Sequence, residues 1–247
     1  MQDKIIIFVP GYNISKTIKR AIFNLVELRK QIVFDILYID NNSSDYTFEI
    51  VEKLIQENKM QFITIIRNTK NLGYGGSQKV AFNYGFLNKY DYLIEYDGDL
   101  QYPYQEIPNL YRKIKSGQYS VVFGSRITKA QDLEQMPKWK VFGNKITSKL
   151  NRWAFNLSVS EIHTGFRIYD LKKIKDAKLD KCHNDYRWTL DGVVEILKVN
   201  DNFGEIPVKA LYHKDASSPS HIALFRTISY MCWRALKYKL NDLFFKN

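Results

Sequence analysis

The sequence predicts an α/β protein with a mainly parallel, Rossmann-like sheet and helices on both faces, and three observations lead there. Short apolar runs rich in β-branched and aromatic residues recur through the first half of the chain. Segments of helical periodicity separate them, the alternation expected of a parallel sheet covered on both sides. Acidic residues stand just beyond the ends of two runs, Asp40 after Ile36-Leu37-Tyr38-Ile39 and Asp97 after Tyr92-Leu93-Ile94-Glu95-Tyr96. Open α/β sheets bind ligands at the carboxyl ends of their strands.

Taken in order, strands are expected near residues 4–9, 33–40, 60–66, 91–97 and 119–124, with helices between them. A polar stretch follows at 127–138, then a helical segment near 139–157, a turn at His163-Thr164-Gly165 and the strand-like Phe166-Arg167-Ile168-Tyr169. A helix near 186–199, a strand at 203–208, a polar loop at 213–220 and a last helical pattern complete the chain. The chain shows no internal repeat, low-complexity tract or linker, so we expect one domain, 1–220, with an appended basic amphipathic helix, 221–247.

With 45% hydrophobic and 26% charged residues the chain builds a core, which excludes disordered and fibrous classes. The net charge of +11 favours polyanions: nucleic acid, phosphorylated substrates or an anionic membrane surface. No basic run of the zinc-finger, homeodomain or RNP type is present and the lysines are spread through helices, which argues against nucleic acid. Cys182 and Cys232 form neither a disulfide framework nor a metal-ligand spacing, as expected for a reducing, cytoplasmic compartment. The apolar run at Ile5 is too short for a signal segment. No stretch approaches the roughly 18 to 20 apolar residues of a membrane span, so membrane contact is expected to be peripheral, at the inner face.

The segment richest in chemistry is Asp97-Gly98-Asp99-Leu100-Gln101-Tyr102-Pro103. Two carboxylates two residues apart, with a glycine between them for a tight turn, supply oxygen ligands to one hard divalent cation. Such a cation offsets charge on a leaving diphosphate. An ordinary Asp-Gly turn would have the same composition, and the neighbouring motifs distinguish the two. Val9-Pro10-Gly11-Tyr12-Asn13 ends the first strand, Ile39-Asp40-Asn41-Asn42-Ser43 the second, and Asn71-Leu72-Gly73-Tyr74-Gly75-Gly76 follows the third. Gly124-Ser125-Arg126 and Thr164-Gly165-Phe166-Arg167 come later.

Together, and in this order, these segments resemble the inverting family 2 glycosyltransferases of GT-A fold, over about residues 5–220. Within that family they are most similar to the polyprenyl-phosphate sugar transferases of the dolichyl-phosphate mannose synthase type, whose metal motif reads DADLQHP. The resemblance implies Mg²⁺ or Mn²⁺ held by Asp99 and Gln101, with Asp97 a further ligand or its supporting partner. It implies a UDP- or GDP-linked sugar held through Pro10, Tyr12, Asn13 and Asp40, with Gly98 and the metal-site turn beside it. Asp40 at a strand end equally suits capping of the next helix. Lys70 and the glycines from Gly73 precede a helix, where backbone N–H groups and a cation suit an anion, although glycines also serve turning alone. Arg126 and Arg167 are candidates for phosphate, since a planar guanidinium matches phosphate oxygens.

The chain departs from the family pattern at Ile14 and Asn41, where acidic residues are usual, which leaves the nucleotide open. Its C-terminal loop suggests Lys214 and Ser218 as phosphate contacts. Transfer to a hydroxyl needs a general base, for which Asp191 is the candidate, whereas a phosphate acceptor needs none. Asp191 alternatively orients arginines in the site. The polar stretch 127–138 is expected to close over the donor as a lid. The basic, aromatic C-terminal helix suits the plane of an anionic membrane, a dimer partner or the domain itself. The leading expectation is therefore sugar transfer to a polyprenyl phosphate. The alternatives are a hydroxyl of a growing lipid-linked or surface glycan as acceptor, or nucleotide binding without catalysis.

Overall fold

A computed structural model describes residues 2–127, 138–211 and 221–245, with side chains at all of these but 138–142, 221 and 241–245. Strands β1 (Ile5–Gly11), β2 (Asp35–Asp40), β3 (Ile63–Arg67), β4 (Tyr92–Glu95), β5 (Val121–Ser125), β6 (Arg167–Asp170) and β7 (Phe203–Pro207) form one sheet ordered β3-β2-β1-β4-β6-β5-β7. Strand β6 runs antiparallel to both its neighbours, and every other pairing is parallel. Helices α1 (Ile18–Leu28), α2 (Thr47–Asn58), α3 (Gly73–Leu87), α4 (Ile107–Ile114), α5 (Lys138–Phe155), α6 (Trp188–Leu197) and α7 (His221–Phe245) complete the chain.

The central strand shows why the sheet is covered on both sides. Every side chain from Ile5 to Val9 is buried, and in a strand successive side chains point to opposite faces. Ile6 and Phe8 accordingly join Phe82 of α3 with Trp188 and Leu190 of α6, whereas Ile5, Ile7 and Val9 join Ile18, Ile22 and Leu25 of α1. Each such side chain contributes about 1.5–3 kcal/mol on burial, so the two layers pin the strand ends from which the functional loops leave.

Three of those loops turn through the left-handed region, at Asn13 (φ 54°), Asn42 (φ 61°) and Leu100 (φ 64°). Asparagine tolerates this conformation and leucine rarely adopts it, so the turn after Asp99 is held by its surroundings. Leu100 is buried, the Asp99 carboxylate accepts the Gln101 N–H at 3.0 Å, and the Gln101 carbonyl accepts the Leu211 N–H at 2.7 Å.

Helix α7 packs on the domain. Thr227, Met231 and Ala235, spaced one turn apart, are its buried stripe, and Met231 and Ala235 enter the core beside Ala154 and Phe155 of α5. On the other side Ile222, Phe225, Trp233, Leu236 and Leu240 are each half exposed or more. No described helix is long and apolar enough to cross a membrane.

Candidate active site

A cavity of about 520 Å³ lies over the carboxyl ends of the central strands. The end of β1 gives it Pro10 and Gly11, the loops after β1, β2 and β3 give Tyr12, Asn41 and Asn71, and the turn after β4 gives Asp97, Gly98, Asp99 and Gln101. Arg126, His163, Thr164, Gly165 and Arg167 contribute from around β5 and β6, and Leu224, Thr227, Ile228 and Met231 from α7. These elements are distant in sequence, and the parallel topology brings them together because every parallel strand ends on the same edge of the sheet.

Both arginines are anchored by buried acids. Glu161, fully buried, accepts from the Arg126 backbone N–H (2.7 Å), from its Nε (3.0 Å) and from Nη2, which also donates to the His163 carbonyl (2.7 Å). Arg167 is 1% exposed, donates to the Thr164 carbonyl (2.6 Å) and the Tyr169 hydroxyl (3.1 Å), and lies 3.8 Å from Glu95. Glu95 also accepts from the Tyr74 hydroxyl and the Gln78 amide. Charge-assisted contacts of this kind fix where the guanidinium groups stand before any ligand arrives.

The acidic turn is electrostatically crowded. Burial, then the Asp99 charge and then that of Glu95 push the Asp97 carboxyl well above its ordinary value, against the opposing pull of Arg167 and Arg126. A side chain at Gly165 would collide with the Asp97 carboxylate, so the Thr164-Gly165-Phe166-Arg167 segment needs glycine for this close approach. Burial pushes the His163 imidazole down to about 4, which keeps it neutral near pH 7. Two crowded carboxylates and the neutral oxygen of Gln101 on one turn suit a hard divalent cation. Among the described residues no three His, Cys, Asp or Glu converge on a point, so the remaining oxygens would come from the ligand or water.

The raised pKa of Asp97 makes the stability of the fold depend on pH. A buried acid that holds its proton more tightly when folded stabilises the fold at low pH, and this contribution is lost as pH rises. The metal-free protein should therefore lose stability as pH rises from 3.8, the ordinary value for aspartate, through the elevated folded one. Added Mn²⁺ should stabilise increasingly over the same range, because cation and proton compete for the carboxylates. Melting curves with and without Mn²⁺ across pH test this, and a Mn²⁺ effect that shrinks as pH rises would contradict it.

The structure brings Pro10, Tyr12, Gly73, Asp97, Gly98, Asp99, Gln101, Arg126 and Arg167 to one cavity and leaves other expected residues outside its lining. The Asp40 carboxylate is fully buried, accepting from the Ser43 N–H (2.9 Å) and the Tyr38 hydroxyl (3.2 Å), with Arg67 at 3.7 Å. It shapes the loop after β2, and Asn41, hydrogen-bonded to Asn68 and Asn71, faces the cavity instead. Asn13 joins two loops, its side chain accepting the Ser44 N–H at 2.8 Å. Lys70 is exposed and outside the lining.

The glycine loop is covered rather than open to an anion. The Gly76 N–H donates to the Asn184 carbonyl at 3.0 Å, and side chains at Gly73 or Gly75 would strike the carbonyls of Asn184 and His183. Asp191 also stands outside the lining. Its carboxylate meets His183 Nδ1 (2.6 Å), the Tyr230 hydroxyl (2.6 Å) and Arg234 (3.4 Å), so it ties α6 to α7. Lys214 and Ser218 lie outside the described residues, as do residues 128–137 of the expected lid. Sequence reasoning missed Glu95, Glu161, Tyr74 and Tyr186. Only Glu95 carried a signal, as a charged residue within an apolar strand.

A mainly parallel sheet with an acidic turn at the end of a central strand, facing anchored arginines, is the GT-A arrangement of a glycosyltransferase. The family model described as glycosyl transferase family 2 matches residues 6–177, and the chain belongs to that family. It is 25% identical over 220-odd positions, 223 residues, to the UDP-N-acetylglucosamine–dolichyl-phosphate N-acetylglucosaminyltransferase of Methanococcus voltae, covering 86% of this chain and 88% of that one. A dolichol-phosphate mannosyltransferase of Pyrococcus furiosus is 27% identical over 146 residues, 59% of this chain and 38% of its own. Among solved structures, a mannosyltransferase of Pyrobaculum calidifontis in complex with GDP-Man and Mn²⁺ superposes with a TM-score of 0.59 at 13% identity. That superposition covers 98% of this chain and 74% of the other, and supports the shared fold.

Proposed function

We propose that this glycosyltransferase moves a sugar, with inversion, from a nucleoside-diphosphate sugar to a polyprenyl phosphate at the cytoplasmic face of a membrane. The observation that carries the reading is the make-up of the cavity. One continuous space is bounded by Asn41 and Asn71, by the Asp97–Asp99 turn, and by the apolar Leu224, Ile228 and Met231 of α7. A nucleotide needs the first, its diphosphate the second, and a lipid chain the third. The relatives' names, which pair nucleotide sugar or mannose with dolichyl phosphate, support the same assignment.

In this reaction an acceptor phosphate oxygen attacks the anomeric carbon, the bond to the nucleotide's β-phosphate oxygen breaks, and the nucleoside diphosphate leaves. Asp97, Asp99 and Gln101 would hold the divalent cation, which supplies charge neutralisation to the leaving diphosphate. Arg126 and Arg167 orient and neutralise phosphate oxygens from fixed positions, so positioning and charge dominate the chemistry. The acceptor is already anionic and no proton needs removal. This accords with Asp191 being engaged elsewhere and with a neutral, weakly basic His163.

The membrane contact is assigned to the outer side of α5 and α7. Trp153, Phe225, Trp233, Leu236 and Leu240 are exposed there, with Lys237 over the Trp233 ring (5.0 Å) and Lys239 over Trp153 (5.5 Å). Aromatic and apolar side chains among lysines suit an anionic headgroup layer. Because α7 also walls the cavity, deleting it would damage the fold, and surface substitutions make the cleaner test. Phe225→Ser with Trp233→Ser should lower sedimentation with anionic vesicles roughly ten-fold or more. Asp191→Asn should retain transfer to polyprenyl phosphate. Efficient transfer to a soluble saccharide, lost in Asp191→Asn with the fold intact, would instead establish the glycan acceptor.

A further inference from the structure

The segment joining β6 to α6 carries a side chain that the family motifs do not account for. Tyr186 lines the cavity, and burial together with the charges of Asp97 and Asp99 raises its phenol above the ordinary value, keeping the hydroxyl protonated. Its ring stacks on that of Tyr74, with centroids 5.2 Å apart and planes 16° from parallel. Tyr74 is itself fixed, since its hydroxyl donates to buried Glu95 and its ring meets Trp188 edge-on at 6.3 Å.

The backbone that delivers Tyr186 is equally fixed. The His183 N–H donates to Asp191 (3.1 Å), the Asn184 carbonyl accepts the Gly76 N–H (3.0 Å), and Asp185 pairs with Arg187 (2.9 Å). Gly73 and Gly75, which the sequence suggested as an anion cradle, make room for this segment. Among the described residues the Tyr186 hydroxyl has no hydrogen-bond partner, whereas the hydroxyl of Tyr74, on which its ring stacks, is held by Glu95.

From this arrangement we propose that Tyr186 is a donor-positioning residue whose hydroxyl hydrogen-bonds the sugar of the nucleotide sugar beside the Asp97–Asp99 turn. The inference rests on the donor reading above and adds the residue that senses the sugar. A neutral hydroxyl beside carboxylates suits a sugar hydroxyl, which both donates and accepts. Phosphate is already served by two arginines. A stacked aromatic ring loses little conformational freedom on binding, so the hydrogen bond contributes close to its full value.

The test measures binding of UDP-GlcNAc, UDP-Glc and GDP-Man beside UDP and GDP, by titration calorimetry with Mn²⁺, for the intact chain and its variants. Tyr186→Phe should weaken the preferred nucleotide sugar about 3- to 10-fold, the loss of one hydrogen bond, and leave the free nucleotide unchanged. Tyr186→Leu, which also loses the stack, should weaken it further, with melting curves confirming the fold of both. An unchanged sugar-dependent gain in Tyr186→Phe would overturn the proposal. So would an equal loss for nucleotide and nucleotide sugar, which would mark a diphosphate contact, or a wild type that gains nothing from the sugar. A wild type that binds none of these probes would overturn the donor reading itself, and the proposal with it.

Discussion

Asp99→Ala is expected to lower sugar transfer at least about a thousand-fold, the equivalent of several kcal/mol of charge stabilisation, while the protein stays folded. Asp99 is 4% exposed and lines the cavity on the same turn as Asp97. Its charge is the foremost electrostatic reason that Asp97 resists ionisation. Removing it therefore relieves a repulsion, and the melting temperature of the metal-free variant should not fall by more than a few degrees. What disappears is one of two carboxylates able to hold a cation against the diphosphate. Excess chelator should reproduce the loss in the wild type, and Mn²⁺ should restore the wild type alone. Full activity of the variant, or indifference of the wild type to chelator, would remove the metal from the mechanism.

That expectation was legible from sequence because the acidic turn follows an apolar strand and its two carboxylates need only local geometry to share a ligand. The strands were legible for a similar reason: runs such as Ile5 to Val9 are buried on both faces and show it in their composition. The antiparallel direction of β6 was not, since nothing in Arg167-Ile168-Tyr169-Asp170 records which strands flank it.

Several candidate residues lie outside the cavity lining or are held by contacts that their local sequence does not record. Asn13 and the glycine loop were judged from their position after strands, yet their contacts are set by segments farther along the chain. Asn184 covers the glycine loop from more than a hundred residues on, whereas Asp40 is held locally by Tyr38 and Ser43, with Arg67 of β3 beside it. Asp191 was a candidate base or a residue orienting arginines, and its partners Tyr230 and Arg234 lie on α7. Glu161 left no trace because its role exists only once Arg126 has been folded against it.

Glu161→Ala should destabilise the fold by about 3–5 kcal/mol, the usual consequence of leaving a buried charge without its partner. The Arg126 side chain is 10% exposed and that of Glu161 is fully buried, so water replaces little of what the carboxylate supplies. The cost extends beyond the ion pair, because the same carboxylate also accepts the Arg126 backbone N–H at 2.7 Å, and the guanidinium it anchors donates to the His163 carbonyl just before Thr164 and Gly165. Against a typical stability of about 5–15 kcal/mol this is a large fraction, visible as a shifted denaturant midpoint with an unchanged slope. The double variant Arg126→Met with Glu161→Met separates stability from function. Apolar side chains of similar length should restore much of the lost stability, as replacements of buried ion pairs often do. Transfer should be absent, because the guanidinium proposed to face the phosphates is gone. A stable, active double variant would show that the pair serves packing alone, and a wild-type denaturation midpoint in Glu161→Ala would show that Arg126 finds its support elsewhere.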